Sequence, residues 1–354
     1  MSDKVAPHTA EHVYTAPQKR GGVMNKLYPP GSQPGAKGRM KNHCRKFWWC
    51  DCLVLAIIIL IVILPIIYVG IPKKAQNEIN DSTLEVTSQQ VTSPTSDSIH
   101  LKIDTVIRSG SSYHPEIDAF RAGLSLEGQE PFLYLNVPKA KSEKETRITI
   151  DQDIKLASLA AFSNYTKTVL GSESFQVRLD GKTNIHLSGL PTMDVDYNKV
   201  ITMKGLNRLA GLNITDVRIL SGANEILPDG SNLVGNVSIP NPSVMTLDLG
   251  NVTMNLGVDG KAIGYTLIQN LLLKPGDNKF PIQSHVDQLT ILGLITSKYK
   301  DAVLPLEIVG NSSVKDGQHL TYYEDAIKSN TVKLNLDVGP ALAGIGINVT
   351  SFGS

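Results

Sequence analysis

The stretch from Leu53 to Ile71 is the feature that most limits how this chain can fold, because it runs for 19 residues without a charge. A helix rises about 1.5 Å per residue, so this stretch can cross the ~30 Å hydrocarbon core of a membrane. Aromatic residues precede it at 47–49, and Tyr68 lies near its other end, where amphipathic rings favour the membrane surface. A buried core helix is the alternative, but such helices seldom keep every face apolar over about five turns. We therefore predict a transmembrane helix over residues 47–72.

Basic residues are concentrated on one side of this span. The 354-residue chain has a net charge of +1, but residues 1–52 carry +6 and the remainder carries −5. Because cytoplasmic flanks of membrane helices are enriched in Lys and Arg, we expect the N-terminus in the cytosol, in a single-pass type II signal-anchor topology. Residues 1–46 are rich in Gly, Pro and polar residues without apolar periodicity, which predicts a disordered tail.

Two features of the cytosolic flank point to lipid. Basic residues occur here at nearly every second position: Lys37, Arg39, Lys41, Arg45 and Lys46. This spacing suits an extended strand that lies on anionic headgroups. Alternatively, these charges serve only to set the topology of the membrane helix. All three cysteines also lie here, as candidates for S-acylation or as small apolar residues at the interface: Cys44, Cys50 and Cys52. The membrane itself is therefore the first predicted partner.

The chain beyond the span has the composition of a secreted domain without disulfides. It contains no cysteine, so its stability must come from its apolar core. Seven N-glycosylation sequons all lie beyond the span, at Asn80, Asn164, Asn213, Asn236, Asn251, Asn311 and Asn348. We expect Asn236 and Asn251 in particular to carry glycan. This region is mildly acidic and has no basic stripe with interleaved aromatics, which argues against nucleic-acid binding.

Apolar residues beyond the span alternate mostly with period two, which is typical of half-buried strands. The pairs Asp180-Gly181 and Asp259-Gly260 each stand between two alternating runs and predict two-residue hairpins. Helical spacing occurs only at about 154–170 and 286–303, and this order of elements recurs at an offset of about 132 residues. The sequence therefore predicts a mainly β chain with two tandem β-sandwich units, each with one or two helices, at residues 73–200 and 201–354. A single large β domain is the alternative.

Residue patterns typical of enzymes are sparse. The histidines are scattered without metal-ligand spacing, and no nucleophile elbow is present, so we expect no cofactor, no metal and no catalytic activity. One pattern supports a different class. Asp194-Val-Asp196 has the form of the D-x-D that holds Mn²⁺ against a nucleotide sugar in type II membrane glycosyltransferases, although such enzymes need an α/β nucleotide-binding fold. A polar turn after Pro191 explains the two aspartates more simply.

A second group of motifs carries a resemblance to known families. The chain from Gly230 ends a strand at Asn241-Pro242, passes the Asp259-Gly260 pair and reaches Pro275-Gly276, and this order resembles the type 2 late-embryogenesis-abundant domain (water-stress and hypersensitive response). The segments around the span, from Cys44 to Cys50 and from Ile71 to Ile79, are similar to a fungal family of single-pass membrane proteins of unknown function that carry such domains.

The resemblance implies immunoglobulin-like Greek-key sandwiches and an endomembrane address, most plausibly the vacuolar membrane, with the plasma membrane as the alternative. It also implies a binding or structural role with lipid contact, and it transfers no catalytic residues. We therefore expect a non-enzymatic luminal domain that binds a lipid between its sheets or docks a protein. The residues predicted to line an apolar groove, or equally a closed core, are Val237, Ile239, Met254, Leu256, Leu289 and Leu292.

Overall fold

A computed structural model describes residues 36–347 except residue 223, with side chains described from residue 47 onward. The chain divides into two compact units, residues 1–70 and 71–354. The predicted disorder of residues 1–35 therefore lies outside the described residues.

The first unit contains the predicted membrane helix. Helix α1 spans Ala36–Pro65 and is followed by a π-helical segment, Ile66–Gly70. A proline lacks the N–H that would bond the carbonyl four residues earlier, and its ring crowds that carbonyl, so a local change of helix type after Pro65 is expected. The apolar part of this helix is long enough to cross a membrane, and it is the one such helix in the described residues.

The helix starts earlier than the sequence predicted. Residues 37–46 are helical, whereas we predicted a disordered tail up to residue 46, with an extended strand on lipid as one of two alternatives for its basic residues. An established helix extends at little cost through good helix formers, because only nucleation is unfavourable, and residues 37–46 include Met40 together with three Lys and two Arg.

The second unit is mainly β, as predicted, with its strands in sandwich-like sheets. Helix α2 (Ile71–Asp81) opens the unit, and the other helices are α3 (Leu159–Gly171), α4 (Gln288–Ser297), α5 (Thr321–Lys328) and α6 (Gly339–Gly344). The strands in chain order are β1 (Thr83–Thr92), β2 (Ser98–Arg108), β3 (Glu116–Ile117), β4 (Phe120–Ser125), β5 (Leu133–Val137), β6 (Ala140–Lys141), β7 (Glu145–Lys155), β8 (Ser174–His186), β9 (Met193–Lys204), β10 (Asn213–Ile219), β11 (Leu233–Asn241), β12 (Met245–Val258), β13 (Lys261–Leu273), β14 (Gly276–Val286), β15 (Val303–Lys315), β16 (Gln318–His319) and β17 (Thr331–Asp337).

The same strand order occurs twice. In the first half, β1-β2-β7 form one group and β5-β4-β8-β9 the other. In the second half, the corresponding groups are β10-β11-β14 and β13-β12-β15-β17, with the same order of strands in each group. Helices α3 and α4 occupy equivalent positions, after β7 and after β14. This arrangement agrees with an internal repeat and with one sandwich in each half.

The two halves nevertheless share one sheet and one core. In the second half β13 also pairs with β14, whereas the equivalent strands of the first half meet only at the bridge from Leu133 to Leu156. Strand β1 then pairs in parallel with β12, with Val91 opposite Leu247, and this joins β1, β2 and β7 to the strands of the second half in an 11-stranded sheet. The other six strands of the first half form a separate sheet. Buried residues of both halves belong to one continuous cluster. The boundary at residue 200 therefore stays a prediction.

One predicted hairpin is confirmed and the other is wrong. Asp259 and Gly260 both have positive φ and connect β12 to β13. Asp180 and Gly181 instead lie inside the continuous strand β8. A Cβ on Gly181 would come within 2.7 Å of the Phe120 ring, so this glycine is required for packing and not for a turn.

The predicted helices are both present but shorter than expected. Helix α3 begins at Leu159, because Ile154 belongs to strand β7, and α4 ends at Ser297. Side-chain caps fix both starts: the Ser158 hydroxyl accepts from the Ala161 N–H, and the Asp287 carboxylate accepts from the Thr290 N–H.

The Asn-Pro-Ser segment has a structural role. Asn241 is 2% exposed, donates its side-chain amide to the Met245 carbonyl and accepts from the Ser243 N–H and hydroxyl. These bonds satisfy a buried corner between β11 and β12 where Pro242 cannot donate.

Candidate functional site

An apolar cavity lies between α2 and the strands of the first half. Sequence analysis did not single out this helix. Ile71, Ala75 and Ile79 recur every four residues with polar residues between them, so they lie on one face, and this spacing is the signal that would have found it.

This face of α2 covers a cavity of about 130 Å³, which we name the α2 cavity. Its apolar lining is contributed by α2, by the end of β2, by β3 and by the β8–β9 hairpin: Ile71, Ala75, Ile79, Ile107, Pro115, Ile117, Ile185, Leu187, Leu190 and Met193. Its polar lining is Lys74, Glu78, Ser82, Ser109, Ser111, Tyr113, Ser142 and Tyr197. Lys74 and Tyr113 are exposed, so the cavity opens to the surface beside them.

Polar contacts at this opening connect α2 to the loop after β2. The Ser111 hydroxyl donates to a Glu78 carboxylate oxygen at 2.5 Å. The Lys74 ammonium lies 3.9 Å from the other Glu78 oxygen and 4.8 Å from the centre of the Tyr113 ring. Together these contacts give the opening one cation, one anion and several hydroxyl groups around an apolar interior.

Two side chains hold α2 against β9. The Gln76 amide donates to the Asp196 carbonyl at 2.7 Å and accepts from the Asp196 N–H at 2.9 Å, so it pairs with the strand backbone as another strand would. The Lys199 ammonium donates to the carbonyls of Ile79, Asn80 and Ser82 at the C-terminal end of α2, where a positive charge is favourable.

Tyr197 is the unusual polar group of the cavity. Its side chain is 5% exposed, and its hydroxyl has no hydrogen-bond partner among the described residues. Burial raises the pKa of Tyr197 to about 12, so the hydroxyl is neutral and can donate. A buried hydroxyl without a partner is costly.

The predicted groove residues do not gather at one site. Val237, Ile239, Met254 and Leu256 are each under 10% exposed and belong to the common core. Leu289 is 83% exposed. With Leu292 it lines a separate cavity of about 160 Å³ beside α4, which we name the α4 cavity. The sequence pattern cannot separate these environments, because period-two alternation and helical spacing each show only which side of an element is apolar.

The other predicted site residues occupy varied positions. Asn80, Asn164, Asn213, Asn251 and Asn311 are exposed, Asn236 is half-buried, and Asn348 lies outside the described residues. Cys50 is half-buried and Cys52 exposed, both as free thiols. The side chains of Cys44, Lys37, Arg39, Lys41, Arg45 and Lys46 lie outside those described.

Asp194 and Asp196 lie on the exposed face of β9 and not in the polar turn that the sequence suggested. The Asp196 carboxylate is 3.8 Å from the Lys182 ammonium. No group of three metal-ligating side chains occurs within the described part of the chain. The glycosyltransferase hypothesis stays a prediction.

Comparisons with known proteins give a limited match. A family model described as "Protein of unknown function (DUF3712)" matches residues 130–256, which run from the β4–β5 connection into β12. No curated protein sequence matches the chain.

Three solved structures show remote similarity. Red sea bream transglutaminase is 12% identical over 70% of this chain, which spans 31% of that protein, with a TM-score of 0.23. A Mobiluncus mulieris adhesin with intramolecular cross-links is 8% identical, covering 69% and 83% of the two chains with a TM-score of 0.18. The Pseudomonas aeruginosa CupB6 tip adhesin is 9% identical, covering 58% and 88%, also at 0.18. TM-scores this low support no argument about function.

Proposed function

We propose that this chain is a membrane-anchored lipid-binding protein and that the α2 cavity is its ligand site. The observation that carries the proposal is the buried, unpartnered hydroxyl of Tyr197, a residue that lines a mainly apolar cavity. A ligand for this cavity needs an apolar body to fill it and one hydrogen-bond acceptor for the hydroxyl. A lipid with an ester or a hydroxyl group has both.

The position of the cavity along the chain supports a lipid over a water-soluble ligand. Ile71 is both the last residue of the uncharged stretch and a lining residue of the cavity. When the apolar stretch is inserted, Ile71 is joined directly to it in the covalent chain, so the ligand site belongs to a domain that is attached to the lipid phase. An engineered cavity of about 150 Å³ holds benzene, so the α2 cavity has room for a ring or a short chain segment.

The cellular setting belongs to the same proposal. The charge asymmetry supports a cytosolic N-terminus and a luminal domain with N-linked glycan, and the resemblance to fungal proteins with type 2 late-embryogenesis-abundant domains supports an endomembrane, most plausibly the vacuole. At the cytosolic flank, the basic residues contact anionic lipid and at least one cysteine is acylated.

Two substitutions test the ligand site. Ala75→Trp fills the α2 cavity, and Ala160→Trp places the same ring on an exposed helical position of α3. Full-length protein is purified in detergent, and bound lipids are extracted and quantified by mass spectrometry. We expect the wild type and Ala160→Trp to retain a stoichiometric lipid class that Ala75→Trp loses. Equal lipid in all three proteins would contradict the proposal.

Tyr197→Phe tests the recognition of the polar group. Removing the hydroxyl should weaken ligand binding about fivefold, the effect of losing one hydrogen bond, while the ligand-free protein loses no stability because this hydroxyl has no protein partner. A lower melting temperature of the lipid-free variant, with unchanged lipid content, would assign the hydroxyl a structural role.

A further inference from the structure

Helix α2 covers the α2 cavity, but it is attached to the domain unlike the other helices. None of its 11 residues is buried, whereas each of the other helices described in the second unit buries between one and seven residues. A surface helix is normally fixed by the apolar stripe that it buries against the core. Helix α2 therefore depends on a different kind of attachment.

The apolar surface beneath α2 is small and distinct from the common core. Three buried residues form it: Ile185, Met193 and Val195. Ile71 and Ala75 pack on this cluster, and Ile79, about two turns after Ile71, packs both on it and on the common core. The free energy of lifting a segment grows with the apolar area that it exposes, so the N-terminal turns of α2 are easier to lift than its C-terminal end.

The C-terminal end of α2 is held by a buried charge. The Lys199 ammonium donates to three carbonyls at that end, those of Ile79, Asn80 and Ser82. Hydrogen bonds from a charged donor are stronger than neutral ones, and the Lys199 side chain that makes them is itself buried. This end is therefore a fixed point about which the rest of the helix turns.

Two side chains join the middle of α2 to the domain. The Gln76 amide exchanges two hydrogen bonds with the backbone of Asp196 on β9. The Glu78 carboxylate accepts one from the Ser111 hydroxyl. Glu78 and Ser111 also line the α2 cavity, whereas Gln76 does not. The Gln76 contact is therefore the one that a substitution removes without changing the lining of the cavity.

We propose that α2 is a lid on the α2 cavity, which opens when its N-terminal turns lift about the end that Lys199 holds. Lipid then enters and leaves beside Lys74 and Tyr113, where the cavity already reaches the surface. Gln76 is the latch, a positioning residue that keeps the lid closed on β9. The lid controls exchange at the ligand site proposed above, on which this inference rests.

A lid of this kind sets the rates of exchange and not the affinity. Entry and release both pass through the open state, so a weaker latch raises the two rate constants by the same factor. The dissociation constant of the lipid is unchanged as long as the closed state is the major one. A change in the shape of the site, in contrast, alters the dissociation constant.

Lipid exchange tests the latch. Full-length protein purified in detergent with its bound lipid is mixed with phosphatidylcholine that has deuterated acyl chains, and native mass spectrometry follows the replacement. Because Gln76→Ala loses its hydrogen bonds to β9, exchange should be about tenfold faster, with unchanged final occupancy. Gln269→Ala is the matched control, because this exposed glutamine on β13 donates to the Gln283 side chain at 3.0 Å. It should exchange at the wild-type rate. Equal rates in all three proteins, or lower occupancy of Gln76→Ala at the wild-type rate, would overturn the lid.

Hydrogen exchange tests the lid without a ligand. If the wild type binds no lipid, the proposed ligand site is wrong, and the amide protection of the lipid-free protein alone decides whether α2 opens. We expect the α2 amides to exchange about tenfold or more faster than those of α3, which open with the core. Gln76→Ala should accelerate exchange in α2 and leave α3 unchanged, and Gln269→Ala should affect neither helix. Protection of α2 equal to that of α3, or acceleration of both helices by Gln76→Ala, would overturn the proposal.

Discussion

At the scale of single residues, Lys199 determines how firmly α2 is held. It is 6% exposed, and its ammonium donates to three carbonyls at the end of that helix. Burial lowers the pKa of Lys199, and the nearby Asp81 only partly opposes this. Lys199→Met would leave the carbonyls of Ile79, Asn80 and Ser82 without this donor. We expect a loss of about 1–3 kcal/mol in the free energy of unfolding, measured by urea denaturation.

The control for this prediction is the exposed Lys182 on the neighbouring strand. Its ammonium pairs with Asp196 at the surface, where ion pairs contribute little. Lys182→Met should therefore leave the denaturation midpoint unchanged. If both variants lost the same stability, the role assigned to the carbonyl contacts would be wrong.

Glu324 makes the fold sensitive to acid. Desolvation raises the pKa of this carboxyl, but hydrogen bonds from His319, Lys328 and the Ser313 N–H outweigh it, so the pKa is lowered overall. Since the unfolded state then binds the proton more readily, the contribution of Glu324 is present above the unfolded pKa of about 4.5 and is lost as pH falls through the folded value.

Glu324→Gln tests whether the charged carboxylate stabilises the folded state. The variant should lose stability at pH 7 and approach the wild type as the pH falls through the lowered folded-state pKa of Glu324, because the carboxyl is then protonated in both states of the wild type. Thermal melts from pH 3 to 8 provide the measurement. A constant difference across this range would show that the carboxylate charge is not the source.

At the scale of elements, the start of α3 depends on one hydroxyl. Ser158 accepts from the Ala161 N–H at 3.2 Å and donates to Glu130 at 2.6 Å. Ser158→Ala should cost about 1 kcal/mol of stability, the usual effect of losing an N-cap. Ser158→Asp keeps the acceptor, but it also places a carboxylate beside Glu130.

Ser158→Thr is therefore the better control. It keeps both the acceptor and the donor, and should restore most of the loss. Hydrogen exchange of the first turn of α3 locates the effect. If the amide hydrogens of the first turn exchanged faster in both Ser158→Ala and Ser158→Thr, the packing of the Ser158 side chain, and not its capping hydrogen bond, would be the cause.

At the scale of the whole molecule, the shared sheet and core predict one unfolding transition for residues 71–354. Leu101 in β2 and Leu304 in β15 are each 1% exposed and belong to the same cluster in different halves. Leu101→Ala and Leu304→Ala should each cost about 2–5 kcal/mol. In each variant, the single calorimetric unfolding peak should move to a lower temperature without splitting. Two separated peaks, with only one moved by each variant, would show that the halves unfold independently.

Topology is also a property of the whole chain. If the domain is luminal, Asn251 on β12 and Asn236 on β11 carry glycan, and endoglycosidase treatment increases the electrophoretic mobility of the protein. Asn251→Gln and Asn236→Gln should each remove one step of that shift. Unchanged mobility of the wild type after treatment would place the domain on the cytosolic side of the membrane.

The features that depend only on neighbouring residues were predictable from the amino-acid sequence. The uncharged stretch from Leu53 to Ile71 predicts a helix long enough to cross a membrane. In lipid, a single segment can make all of its backbone hydrogen bonds internally only as a helix. Period-two alternation identified the strands, and Asp259-Gly260 identified its hairpin through the positive φ that the turn needs.

Only the tertiary structure decided the features that depend on distant residues. Asp180-Gly181 has the same local pattern as Asp259-Gly260, but the Phe120 ring packs against Gly181 and the strand continues. Leu256 belongs to a period-two run and Leu289 to a stretch with helical spacing, and both patterns predict an apolar side, yet Leu256 is buried and Leu289 is 83% exposed. The α2 cavity, likewise, exists because a helix at residue 71 meets strands more than 100 residues away. Periodicity shows which side of an element is apolar, and the arrangement of the other elements determines what covers it.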